Sequence, residues 1–173
     1  MRTDKLSMRM LPRLWRHWTH PRQRVSKYFP EAVLHQLTTH IANSEQRHTG
    51  QLRFVIESRI NTASLCHHTT PRQRAQYWFN NLGIWDTSAR CGVLVYVLFA
   101  DRAVEIIADR GIDACVSAAQ WQEICTHILT AFHQQNYVDG LSRGLEELTD
   151  LLVQYFPRTQ AGRNELADDV ILR

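Results

Sequence analysis

Apolar residues recur along this chain at two spacings, one helical and one strand-like. After Pro30, Val33, Leu34, Leu37 and Ile41 fall on one helix face, and Gly50 supplies a stop. Gln51 to Ser58 is apolar at Leu52, Phe54, Val55 and Ile56, which predicts a strand buried largely on both faces. Residues 59–69 show neither spacing and read as a loop. Thr70 then caps a second helix with Pro71 at its first position. Ala75, Trp78, Phe79 and Leu82 form its stripe, and Gly83 ends it. Gly92 to Phe99 is apolar almost throughout, as a central strand is. Asp101 and Arg102 occupy a tight turn, and Val104 to Ala108 returns as the second arm of an antiparallel hairpin. Ser117 and Gln120 have the spacing of a capping box, followed by Trp121, Ile124, Cys125, Ile128, Leu129 and Phe132 at helical intervals. A last helix from Tyr137 or Val138 carries Leu141, Leu145, Leu148, Leu152 and Phe156, and Pro157 closes it.

The order is helix, strand, helix, strand, strand, helix, helix. So apolar a sheet needs cover on both faces, which predicts an α/β fold: a three-layer α/β/α sandwich with a mixed central sheet. The length of 173 residues fits one such domain, over residues 30–157. Residues 158–173 form a polar tail in which only Val170 to Leu172 is suited to docking.

Charge separates the first 29 residues from the rest. They hold eight basic side chains and one acidic one, a net of +7, against −4 for the remaining body. An acidic body with a basic arm argues against nucleic acid as partner, since that would call for a basic folded face. Within the arm, a short helix from Pro12 would place Trp15 and Trp18 against the body and leave its arginines in water. The alternative is a weak peripheral membrane contact through residues 1–29. The composition break at Pro30 predicts that the arm adds little to stability. Arg9, Arg13 and Arg16 interrupt every candidate secretory core after the basic start, and no apolar run has the length of a membrane span, so a cytoplasmic location is expected, with membrane association as the alternative. Cys66, Cys91, Cys115 and Cys125 form no CxxC pair and read as reduced thiols.

Several short segments, in order, resemble the TPM domain family. His48-Thr49-Gly50 is similar to the Thr-Gly before that family's first strand. Leu82-Gly83-Ile84-Trp85 resembles its Trp-Gly-Ile-Gly. Gly92-Val93-Leu94-Val95 resembles the strand after its Asp-Asn-Gly. Ala100-Asp101-Arg102 matches its Asp-Asp-Arg turn, and Gly111-Ile112-Asp113 the end of its Gly-Tyr-Gly-Leu-Glu. Ala131-Phe132 through Tyr137 to Gly140 resembles its Ala-Phe…Asp-Tyr…Gly run. The resemblance covers about residues 30–153 and is that of a bacterial branch without signal peptide or anchor. It implies the same α/β/α sandwich. It also implies an acid phosphatase activity in some members, calcium binding in several, and LemA-type membrane proteins as genomic neighbours. The pattern breaks where chemistry would sit. Arg90-Cys91 stands where the family has Asp-Asn, and Asp109-Arg110 where it has Gly-Tyr.

Two functions follow as expectations. The first is a noncatalytic binding or accessory module, with Trp85, Arg90 and Arg110 meeting a protein partner, a LemA-type membrane protein among the candidates. The second is a metal-assisted phosphatase, with Asp86, Asp109 and Asp113 holding a cation and Arg90 or Arg110 clamping phosphate. Three surface carboxylates paired to arginine are the plainer reading of those aspartates. A guanidinium and a thiol suit calcium poorly, so the cofactor expectation is none, or weakly bound Ca2+. Cys66-His67-His68 lacks the second pair a zinc site needs. Cys91 beside Arg90 has no base to make it a nucleophile, and no G-x-S-x-G or phosphate-loop motif is present.

Overall fold

A computed structural model describes residues 4–20, 22–158 and 166–173. The sheet has four strands in the order β3-β2-β1-β4: β1 (Gln51–Glu57), β2 (Gly92–Leu98), β3 (Ala103–Ala108) and β4 (Ile171–Leu172). β1 runs parallel to β2 and β4, and β2 runs antiparallel to β3. The sheet is therefore mixed, as the hairpin at Asp101 and Arg102 requires.

Every residue of β1 and β2 is buried, and alternate side chains enter two separate cores. Leu52, Phe54, Ile56, Val93, Val95 and Val97 meet α3 (Glu31–Glu45), α7 (Ala118–His133) and α8 (Tyr137–Tyr155). Val55, Leu94, Tyr96 and Leu98 meet α5 (Pro71–Asn81), through Ala75 and Phe79. Three layers result. Thr70 and Ser117 each complete a capping box, with Gln73 and Gln120. Gly83 leaves α5 at φ +64, a left-handed position that favours glycine.

Gly50 does not stop α3, which ends five residues earlier at Glu45. Its role is close packing: a Cβ there would lie 2.5 Å from the Leu152 side chain. The supposed loop holds α4 (Thr62–Cys66), capped by the Asn61 side chain, which accepts from Ser64 N–H. Asp109 likewise caps α6 (Arg110–Asp113). Single turns are too short to print a period on the sequence. The tail supplies β4, whose two residues pair with Val55 and Ile56 of β1.

The largest departure is at the amino end. α1 (Asp4–Thr19) runs through Pro12 instead of starting there, and α2 (Arg22–Tyr28) follows. Trp15 and Trp18 are each 69% exposed, while His17 is buried. The arm docks with its polar face inward. Arg13 grips both oxygens of Asp101 and donates to the Thr69 carbonyl at 2.7 Å. His17 Nδ1 accepts the Ile60 N–H, so the ring proton sits on Nε2 and points to Asp101, 3.1 Å away. Val25 and Phe29 enter the core beneath α3. Apolar spacing alone reversed the arm, because the carboxylate that selects its inward face lies 88 residues further along.

Candidate functional site

The six residues singled out in the sequence lie in the segment before β2 and in the segment after β3, at the end of the sheet where β1 and β2 begin. The backbone is closely packed there. Asp109 N–H donates to the Gly92 carbonyl at 2.8 Å, and Gly111 N–H to the Arg90 carbonyl at 3.0 Å. A Cβ on Gly92 would lie 2.0 Å from the Ile84 carbonyl oxygen, and one on Gly111 2.3 Å from that of Arg90. No side chain fits at either position. Arg90 is exposed at φ +52, an uncommon conformation for so long a residue. Cys91 is fully buried, and its thiol donates to the Thr49 carbonyl at 3.2 Å.

The three aspartates are not equivalent. Asp109 is buried: Oδ1 accepts the Arg110 N–H at 2.7 Å, and Oδ2 has no hydrogen-bond partner. Asp86 and Asp113 are exposed, Asp86 in the loop after α5 and Asp113 at the end of α6. Among the described residues no three His, Cys, Asp or Glu side chains are grouped to hold an ion. This end holds three carboxylates, one of them buried, with a buried thiol and two guanidiniums. Trp85 stands 54% exposed, and Arg90 and Arg110 are exposed at the same end of the sheet.

Next to this end lies a buried polar knot for which the sequence had offered no role. Glu45 Oε1 accepts the Leu52 N–H at 2.6 Å. Burial raises its pKa to about 8, and the neighbouring Asp168 carboxylate pushes the same way. His48 is fully buried, with Nδ1–H donating to the Gly50 carbonyl and Nε2 facing Ser44 Oγ at 2.9 Å. Burial lowers its pKa to about 4. A carboxyl raised in the fold holds a proton that the unfolded chain has lost, so its stabilising contribution falls as pH rises from 4.5 to about 8. A histidine held neutral acts oppositely, its contribution being lost as pH falls from 6.5 to about 4. Above pH 6.5 the pH dependence from His48 is spent and that from Glu45 remains. Stability is expected to fall by about 2 kcal/mol between pH 6.5 and 8, and Glu45→Gln to remove that fall. Urea unfolding at the two pH values checks this; equal slopes in both proteins would contradict it.

A cleft of about 400 Å³ lies at the opposite end, where β2 leaves the sheet. Arg16, His20, Arg102 and His133 line it over a floor that includes Phe132 and Tyr137, and no carboxylate is in the described lining. The rings of Phe99, Phe132 and Tyr137 pack with centroids 5.2–5.6 Å apart. Asp101 is close by, but Arg13 and His17 already occupy it. Such a cleft favours an anion with a flat apolar body. The signal in the sequence was slight. Arg102 follows Asp101 in a hairpin turn at φ +51, but its cleft companions come from α1, the residue after it, and α7.

Cys66 and Cys115 are exposed, Cys91 and Cys125 buried, and none of the four is in a disulfide. His127 pairs with Glu147 on the surface, at 2.9 Å.

Comparison with known proteins gave a family and a fold. The TPM domain matches residues 25–151 of this chain. Among solved structures, the NMR structure of the BA42 protein from the psychrophilic bacterium Bizionia argentinensis superposes with a TM-score of 0.72 at 27% identity. That likeness covers 81% of this chain and 92% of the other. No curated protein matches the chain.

Proposed function

Because the chain belongs to the TPM domain family, we propose that it is a noncatalytic binding module, with Trp85, Arg90 and Arg110 presented to an acidic protein partner. One observation carries this reading. Where the resemblance puts Asp-Asn, this chain has an exposed guanidinium and a fully buried thiol that is already hydrogen-bonded. A permanent cation repels a metal ion, and a soft sulfur is a poor calcium donor. Exposed there, beside the carboxylates of Asp86 and Asp113, are an indole and two guanidiniums, the groups that most often anchor interfaces.

The second reading, a metal-assisted phosphatase, is favoured by the Asp109 oxygen that is buried without a partner. Hydrolysis of p-nitrophenyl phosphate, with and without calcium or magnesium, separates the two. The binding-module reading expects no turnover above buffer. Turnover that Asp109→Asn abolishes in a folded variant would overturn it.

A further inference from the structure

We propose that α1 is a membrane-docking helix, its outer stripe seated on an anionic phospholipid bilayer. Leu11, Trp15 and Trp18 lie at i, i+4 and i+7, on one face. They are 66%, 69% and 69% exposed, the three highest among the exposed large hydrophobic residues. The orientation is held in place, because Arg13 and His17 on the other face are bound to Asp101 and Ile60. Folding thus buries the His17 side chain and most of Arg13 and leaves two indoles in water, the reverse of what burial alone favours. A ligand for the stripe accounts for that cost.

Charge decides which ligand. Residues 1–29 carry a net of +7. A second copy would bring an equal positive charge against the first, so pairing through α1 is repulsive. An anionic bilayer supplies the opposite charge, together with an interface in which indoles sit with the ring in hydrocarbon and the N–H near water. At 16 residues, α1 is about 24 Å long, too short to cross a bilayer but suited to lying in its surface. No helix among the described residues is long and apolar enough to cross a membrane.

The test uses the full chain with vesicles of phosphatidylcholine, pure or containing roughly one quarter phosphatidylglycerol. Co-sedimentation and tryptophan emission are read at low and high salt. The wild type is expected to pellet with the anionic vesicles, with a blue shift, and to be released by salt. Trp15→Ser/Trp18→Ser should lower partitioning about tenfold or more. Its unfolding midpoint should match the wild type, because both positions are exposed. Failure of the wild type to bind would overturn the proposal. So would equal binding by the double variant, which would mean attraction by charge alone. A wild-type dimer that the double variant dissociates would assign the stripe to a second copy and overturn it too.

Discussion

Glu57→Ala is expected to destabilise the protein by about 4 kcal/mol, the largest single effect predicted for this fold. Glu57 ends β1 inside the sheet and is buried. Its carboxylate accepts four hydrogen bonds: two from Arg74 at 2.6 and 2.8 Å, one from Tyr96 Oη at 2.7 Å and one from Trp78 Nε1 at 3.2 Å. The pairing holds the Arg74 guanidinium more firmly protonated, mainly through those hydrogen bonds. Burial and the adjacent Glu57 charge make the Tyr96 hydroxyl harder to ionise. Removing the carboxylate leaves a largely buried cation and a buried hydroxyl with no acceptor, and both costs fall on the folded state. Tyr96→Phe is the contrast. It removes one donor and leaves the carboxylate three others, so about 1 kcal/mol is expected. Urea unfolding of the two variants checks the ratio. Similar losses would mean that the ion pair contributes little beyond one hydrogen bond.

Asp101→Asn is expected to cost about 3 kcal/mol and to loosen α1. Burial alone would raise the Asp101 pKa, but the hydrogen bonds from His17 and Arg13 and the Arg13 charge hold it at about 2. A carboxyl depressed in the fold stabilises above its unfolded pKa of 3.8, and that contribution is lost as pH falls through about 2. The amide keeps the shape but presents an N–H where Arg13 or His17 also donates. Hydrogen exchange should speed up across α1 and the turn at residues 99–102 before it changes in α8. A fall in stability with α1 still protected would show that Leu14, Val25 and Phe29, and not the carboxylate, hold the arm.

The two layers around β1 and β2 were legible because long elements repeat their pattern. The helices α3, α5, α7 and α8 carry continuous stripes, and Leu52–Ile56 and Val93–Leu98 are apolar on both faces. The arm was not legible. Its apolar side chains suggest one inward face and its partners dictate another, through contacts that span more than 80 positions. Glu45 and His48 were missed for a related reason. A polar residue that ends a helix looks like a surface residue until the strand and the tail close over it. At the candidate site the loops before β2 and after β3 meet through backbone contacts that Gly92 and Gly111 permit. The sequence did not reveal that Asp109 turns inward while Asp86 and Asp113 stay in water.

Residues 90 and 91 decide between a binding module and a metal site, and calorimetric titration of calcium into the wild type and into Arg90→Asp/Cys91→Asn is the sharpest test. Both substitutions suit the backbone. Aspartate adopts the positive φ of residue 90 more readily than arginine, and an asparagine amide can donate to Thr49 as the thiol does. The wild type is expected to give little or no heat and the double variant measurable calcium binding, with Asp109 contributing its buried oxygen. Tight calcium binding by the wild type would contradict the binding-module reading and favour the metal-assisted phosphatase.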